Sequence, residues 1–415
     1  MTSFWFISAP LPGHADWGGM LKTAQVLRAK GHSVLWVSQS PLGPMVQKAG
    51  IDFAPVTETG WLWPPPPLPD PKSLQPAQAI FLRYKRALDT WLSEDLIPPA
   101  VEALTGLAKE RGTPDVIVSD PFLTAAAFTA EALNVPLAVA GWPAGQPLDE
   151  DRLLAVQAEL GRISRERLER LSGQLGLRGV NFSSGATPSV QSPHLHVSFF
   201  SRRWYQADPD FLPQTEFVGG SPTPPQSPVP DWLAAIPPET PLALITLGST
   251  FTGDLGFFSW AAQAAARLGL VPIVVLGGNP IDPAEKARLK AALPAHTRLL
   301  TWVDYDHVFP RLKVIVHHGG MGTTHRAVIQ GVPQVVVPHA ADQRGQARRV
   351  AQAKVGLNLS AHDVQSGQLL PAIRAVTTDK RILDNAAQLA SEFAALGGPP
   401  RAAQLLLRVA HERVI

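Results

Sequence analysis

The residues best placed to do chemistry lie in Val316–Gln343, VHHGGMGTTHRAVIQGVPQVVVPHAADQ. The continuous apolar run Val314-Ile315-Val316 predicts a strand buried on both faces. It stops at His317-His318, Gly319-Gly320-Met321-Gly322 turns the backbone, and a helical pattern opens at Thr323-Thr324, hydroxyl residues suited to an N-cap. Such a turn aims backbone N–H groups and the positive end of a helix dipole at one spot, which suits an anion and above all a phosphate. The stretch lacks the lysine of a P-loop, and its glycines do not read G-x-G-x-x-G. A second apolar run, Val335-Val336-Val337, ends at Pro338 and delivers Asp342-Gln343 to the same sheet edge. Phosphate donors beside a carboxylate and an amide point to a ligand that carries both a diphosphate and a polyol.

Two further places could contribute. Gly13-His14 follows the first strand at its carboxyl end, where α/β folds place ligands. An alcohol hydroxyl is a poor nucleophile near neutrality, so a positioned imidazole there would serve as a base; the plainer reading is a polar turn histidine. Leu247-Gly248-Ser249-Thr250 ends the first strand of the second half, and the hydroxyls of Ser249 and Thr250 could reach a diphosphate or simply close a turn. His317-His318 is a poor metal pair, because adjacent residues at a strand end point to opposite faces and no third ligand is evident.

The C-terminal stretch resembles the donor-binding motif of the nucleotide-sugar-dependent glycosyltransferases of natural-product and small-molecule type, which have the GT-B fold. The residues that carry the resemblance are Trp302, His318, Thr323, Asp342 and Gln343. It implies that Trp302, with Val303 after it, stacks on the nucleobase, and that His318, Gly320, Gly322, Thr323 and Ser249 or Thr250 meet the diphosphate. Asp342 and Gln343 would bind the sugar hydroxyls. It also implies that His14 is the general base that deprotonates the acceptor, with Asp120 fixing its tautomer; the plainer reading of Asp120 is a helix cap. Two positions depart from the family. Gly322 stands where many members have Asn, and Arg326 stands where many have a Glu that binds the ribose hydroxyls. Losing that Glu weakens UDP as the expected donor and brings dTDP-sugars forward, while Arg326 could add charge toward the nucleotide. The wording HHGG-x-GTTH is nearer the bacterial antibiotic and lipid branch than the plant branch. Where the family continues Gly-His-x-x-Pro, this chain reads Gly13-His14-Ala15-Asp16-Trp17, so Asp16 is a helix cap, an acceptor contact or a competing base.

The elements that must hold these residues read as two Rossmann-like halves, an α/β architecture of two domains facing across a cleft. Phe4–Ser8, Ser33–Val37, Asp115–Ser119 and Val135–Ala140 read as strands alternating with helices, the pattern of a doubly wound parallel sheet. Leu242–Leu247, Val271–Leu276, Thr297–Trp302, Val314–Val316 and Val335–Val337 form a second set. Helical patterns run through Gln78–Leu96 and Asp149–Leu175. Ser221–Pro241 carries too much proline for regular structure through most of its length and reads as a semi-rigid linker. The expected domains are therefore 1–220 for the acceptor, 221–241 as linker, 242–395 for the donor, and 396–415 as a last helix that the resemblance sends back to the first domain.

Composition narrows the rest. A net charge of +2 with 17% charged residues gives no footprint for nucleic acid, and the absence of Cys excludes disulfides and thiol catalysis. Few Met and 41 Pro fit either a thermophilic source or a biased genome. Phe4–Pro10 is too short for a signal peptide and no run is long enough to span a membrane, so a cytoplasmic location is expected. The run Arg162–Arg170, RISRERLER, reads as a solvated helix face, with peripheral membrane contact as its second reading. Trp63, Phe122 and Trp142 are the aromatic candidates for an apolar acceptor pocket, and a polyketide, flavonoid, carotenoid or lipid alcohol would suit them. The expected reaction is inverting hexosyl transfer from a UDP- or dTDP-sugar, with no metal or other cofactor, by a monomer or weak dimer. A sugar-nucleotide isomerase or hydrolase of the same fold and a non-catalytic helper are the other readings.

Overall fold

The computed structural model describes residues 1–15, 18–69, 74–146, 154–208, 210–225, 227–248, 255–278, 281–339 and 343–412. The chain divides into two compact units. The first holds Met1–Phe199, Ala207–Val218 and Pro399–Ile415, and the second holds Phe200–Gln206 and Gly219–Gly398.

The first unit is a parallel sheet of seven strands: β1 (Ser3–Ile7), β2 (Ser33–Ser38), β3 (Asp52–Pro55), β4 (Val116–Ser119), β5 (Leu137–Ala140), β6 (Leu195–Ser198) and β7 (Thr215–Phe217). Their spatial order is β3-β2-β1-β4-β5-β6-β7. The chain thus winds outward from β1 to β3, then returns to lay β4 against the other side of β1. At that reversal the loops after β1 and β4 diverge, which opens a crevice at the carboxyl edge. Trp5, Ile7, Val37, Ile117, Leu137 and Val139 bury one face of the sheet under the helices Ile97–Arg111 and Thr124–Ala132. Within this unit Arg408 and Arg401 of the last helix reach Glu216 of β7, at 3.2 and 3.7 Å.

The second unit repeats the plan with six strands: β8 (Leu242–Thr246), β9 (Val271–Val275), β10 (Arg298–Leu300), β11 (Leu312–His317), β12 (Gln334–Val336) and β13 (Gly356–Asn358), ordered β10-β9-β8-β11-β12-β13. Alternation along the strands explains their uninterrupted hydrophobicity. Ala243, Ile245, Val314 and Val316 enter one core with Phe257 and Ile373, while Leu242, Leu244 and Ile315 enter the other with Val308, Phe309 and Ala327. Each such side chain contributes about 1.5–3 kcal/mol of burial, so a polar residue on either parity would be costly.

Two expectations need correction. The helix after β11 runs Met321–Ile329 and is capped by Gly320, not by a threonine side chain. Thr323 and Thr324 lie inside its first turn, and the Thr324 hydroxyl donates back to the Gly320 carbonyl at 2.9 Å. The helical region expected over Gln78–Leu96 is a helix Pro76–Trp91, and the helix Ile97–Arg111 that follows was not foreseen. The proline-rich stretch is irregular through most of its length, but Asp231–Ala234 forms a helical turn, Leu233 and Ile236 enter a core, and Arg311 donates to the carbonyls of Leu233, Ile236 and Pro237.

Candidate functional site

Around the reversal point of the first sheet, short loops carry the chemistry. His14 sits in the helical turn Pro12–Ala15 beyond β1, and its Nδ1 lies 3.2 Å from Oδ2 of Asp120, which follows β4 directly. Asp120 is fully buried. Its carboxylate also accepts the backbone N–H groups of Ala9, at 3.4 Å, and Phe122, at 2.8 Å. An ionised carboxylate only accepts hydrogen bonds, so it draws the hydrogen of the imidazole to Nδ1 and makes Nε2 the nitrogen that carries the lone pair. Asp120 also accepts the N–H two residues on, so it holds both the imidazole and the local turn.

Aromatic rings pack beside this pair. The His14 ring meets Trp61 edge-on at 4.8 Å and Phe122 at 6.3 Å, and Phe122 meets Trp142 edge-on at 6.0 Å. Trp61 is supplied by the loop after β3, which is tied down by Leu62 N–H to the Thr90 carbonyl and by Arg86 to the Pro65 carbonyl. Trp142 follows β5, and its carbonyl faces Nδ1 of His196 at 3.0 Å while Nε2 of His196 accepts the Ser192 N–H. Those two bonds use both ring nitrogens, and burial holds the His196 pKa down to about 4. Trp63, expected as a pocket residue, is instead 46% exposed, and the ring packed on His14 is Trp61. The sequence supplied both tryptophans but no periodicity that could rank them, since a proline-rich loop has none. Asp16 lies outside the described residues.

At the reversal point of the second sheet, β8 and β11 lie side by side and their loops close around His318. A Cβ on Gly248 would come within 2.7 Å of the His318 ring, and one on Gly320 would also collide with it. Gly248 moreover has φ of +77°, a left-handed conformation that favours glycine. The ring is therefore held between two backbone segments. It is buried, and that burial, with the neighbouring imidazoles of His317 and His339, lowers its pKa to about 3. His318 is thus a neutral hydrogen-bonding group, and its buried Nδ1 has no partner among the described residues. His317 is committed elsewhere: Nδ1 accepts the Gly319 N–H at 3.1 Å, which leaves Nε2 to donate to Gln334 Oε1 at 3.0 Å. With both nitrogens occupied it has nothing to offer a metal.

Gly320 opens the helix Met321–Ile329 with no side-chain cap, so the first-turn N–H groups depend on another partner. A Cβ on Gly322 would meet open space. Thr323, the third helical residue, is buried, and its hydroxyl and that of Thr246 lie near the Tyr305 phenol and favour its ionised form. Burial outweighs them and raises the Tyr305 pKa, so the phenol stays neutral. Tyr305 was not foreseen; one tyrosine in a four-residue helix gives no pattern. Trp302 is 66% exposed on the loop after β10, whereas the Val303 side chain belongs to the core and leaves only its backbone for a ligand. Arg326 is paired with Asp306 at 2.6 Å, which offsets the charge expected from it. Gln343 begins the helix Gln343–Gln352, is buried, and accepts the His339 N–H at Oε1. Ser249, Thr250 and Asp342 lie outside the described residues. The basic run Arg162–Arg170 is largely neutralised: Arg162 pairs with Glu159 and Glu166, Arg167 with Asp89, and Arg170 with Glu94.

Known proteins share both fold and sequence with this chain. Residues 280–409 match the family described as erythromycin biosynthesis protein CIII-like, C-terminal domain. The NDP-glycosyltransferase YjiC of Bacillus subtilis (strain 168) is 27% identical, over 96% of this chain and 94% of that protein. The solved glycosyltransferase of kitacinnamycin superposes with a TM-score of 0.75 at 22% identity, covering 98% of each chain. The spinosyn rhamnosyltransferase SpnG complexed with thymidine diphosphate gives 0.68 at 20% identity, covering 97% of this chain and 99% of the other. The architecture is accordingly that of the GT-B fold, and residues 280–409 are similar to the EryCIII-like C-terminal domain.

Proposed function

We infer that this chain is a nucleotide-sugar glycosyltransferase of the natural-product type, which inverts the anomeric configuration with His14 as general base. The observation that carries the reading is the imidazole of His14 on the buried carboxylate of Asp120 at the reversal point of a doubly wound sheet. A non-catalytic helper has no use for a tautomer-fixing carboxylate.

His14 Nε2 takes the proton from an acceptor hydroxyl, and Asp120 stabilises the imidazolium that forms. The acceptor oxygen forms its bond to the anomeric carbon as the bond from that carbon to the diphosphate oxygen breaks. The electron pair stays on the departing nucleoside diphosphate. First-turn N–H groups after Gly320, a neutral N–H of His318 and the Thr323 hydroxyl receive that charge. These donors suffice in principle without a metal, and no metal is invoked. Trp302 takes the base, while Asp342 and Gln343 take the sugar hydroxyls.

A ligand that binds only the native state raises its melting point, by about 2.7 kcal/mol of stability at a hundred times Kd. Thermal denaturation with thymidine diphosphate, UDP, GDP and their glucose conjugates is expected to show a shift for thymidine diphosphate or UDP and none for GDP. The absence of a shift with every nucleotide would remove the reading.

A further inference from the structure

The helix Pro76–Trp91 enters the core of the first unit only at its end. From Ala77 to Ala87 not one residue is buried, although Ile80, Phe81, Leu82 and Tyr84 lie in that stretch; burial begins at Leu88. Ile80 is 50% exposed and Tyr84 44%, and with exposed Arg83 and Ala87 they share one face at helical spacing. A helix in a folded protein owes most of its stability to the apolar face it packs, and these three turns have that face still to pack. The loop after β3 widens the same surface. Leu62 donates its N–H to the Thr90 carbonyl and Arg86 donates to the Pro65 carbonyl, so the loop runs back along the helix. It carries Trp63 and Leu68, both exposed.

Charge decides what kind of cover fits. Between Trp61 and Leu88 the four cations Lys72, Arg83, Lys85 and Arg86 face one acid, Asp70, a net of +3 in a chain whose total is +2. Lys72 and Asp70 lie outside the described residues. Lys85 pairs with Asp89 at 2.9 Å, but Arg86 has an uncharged carbonyl for its partner and Arg83 is exposed. A basic helix with aromatic and branched side chains on its open face is suited to lie in the plane of a lipid surface. Its apolar tips then enter the acyl boundary and its cations meet the headgroups. A second copy fits worse, because a symmetric contact would set these cations against themselves. The other basic run, Arg162–Arg170, is matched by Glu159, Glu166, Asp89 and Glu94 and has no such surplus.

We propose that the open face of the helix Pro76–Trp91, with the loop that carries Trp63 and Leu68, docks on an anionic lipid bilayer surface. Trp61, packed on the His14 ring, stands two residues before Trp63 in that loop, so the docking face adjoins the base. Docking goes beyond the transfer reading and does not depend on it.

The test is flotation of the full-length protein with vesicles, with no nucleotide or acceptor present. Vesicles of phosphatidylcholine alone are compared with vesicles that also contain phosphatidylglycerol. Arg83 and Arg86 make the affinity for the anionic vesicles about thirtyfold higher, and raising the salt should erase most of that preference. Ile80→Ser/Tyr84→Ser is expected to weaken binding to the anionic vesicles about tenfold, and Arg83→Glu to remove most of the lipid preference. Trp260→Ser, which removes a side chain 43% exposed on the helix Leu255–Arg267 of the second unit, should change neither. Equal binding to both vesicle types overturns the proposal, as does flotation untouched by the folded helix variants. Failure to float with either vesicle overturns it too and leaves the face to an acidic protein partner. A dimer in sedimentation that Ile80→Ser/Tyr84→Ser dissolves would mean that a second copy covers the face, and would equally overturn it. If the variants do not fold, the lipid preference of the unmodified protein and its loss in salt decide. Flotation with no thermal shift from any nucleotide would keep this inference and remove the transfer reading; a shift without flotation would do the reverse.

Discussion

Removing the imidazole of His14 isolates the proton-transfer step, because its ring contacts are with neighbouring side chains and its turn is backbone-bonded through Leu11. His14→Ala is expected to lower kcat by about 10²–10⁴, with the Kd of thymidine diphosphate, measured by titration calorimetry, unchanged. Asp120→Asn tests the tautomer. The amide oxygen can still accept the Phe122 N–H, but the amide NH₂ would face Nδ1 and drive the imidazole hydrogen onto Nε2, where the base lone pair is needed. A fall in kcat of similar size is expected, with nitrogen NMR of labelled histidine reporting a protonated Nε2; an unchanged tautomer would remove Asp120 from its role. In the second unit, Gly248→Ala puts a methyl group against the His318 ring and strains a positive φ. Its expected result is a loss of about 1–2 kcal/mol in stability together with weaker thymidine diphosphate binding, read by denaturant melts and titration.

Elements show why some of this was legible in the sequence and some was not. β1, β2, β4, β8, β9 and β11 are buried on both faces and announce themselves as apolar runs. β3, β7 and β13 are three- or four-residue strands near or at sheet edges, and β6 carries the polar residues His196 and Ser198; none has a pattern long enough to read. His318 was legible from its spacing to the glycine turn, but the commitment of His317 to Gln334 depends on a neighbouring strand seventeen residues away. In the proline-rich stretch, proline content forbids hydrogen-bonded ladders but not anchoring by a distant side chain. Arg311 donates to three carbonyls of that stretch, and Arg311→Ala would remove all three bonds, leaving the Leu233 and Pro237 carbonyls only the N–H groups of Ile236 and Thr240. The expected cost is about 2–4 kcal/mol, with faster amide exchange confined to the segment around Leu233 and Ile236. An unperturbed melt would mean the stretch holds itself in place. The segment Phe200–Gln206 was unreadable for a related reason. It belongs to the second unit through Trp204 Nε1 on Gln346 and the Arg349 guanidinium over Tyr205, contacts made across more than a hundred residues.

For the whole molecule the buried neutral histidines set a response to acid that neither sheet would have alone. His196 in the first unit and His317 and His318 in the second have folded pKa values of about 4, 4 and 3, all below the ordinary 6.5, with burial the leading cause in each. The unfolded chain binds a proton at each of these sites below pH 6.5, while the folded protein refuses it until near its lowered value. Stability attributable to them is therefore complete above pH 6.5 and is lost as pH falls toward 4. Each site removes about 1.4 kcal/mol per pH unit across that window. The second unit carries two such deeply buried sites against one in the first, where His194 and His32 are also lowered but less buried, so acidification from pH 7 to pH 5 should weaken the second unit more steeply. Hydrogen exchange read separately in the strands of the two sheets would measure the two slopes. In His317→Gln, which keeps a polar group opposite Gln334 but cannot take up a proton, the slope of the second unit should fall by about half while that of the first stays the same. Equal slopes in both units, or a second-unit slope untouched by the substitution, would mean that carboxylates and not these imidazoles govern the acid limit. The second unit would then have no special sensitivity, even though its His318 is kept neutral by the same burial.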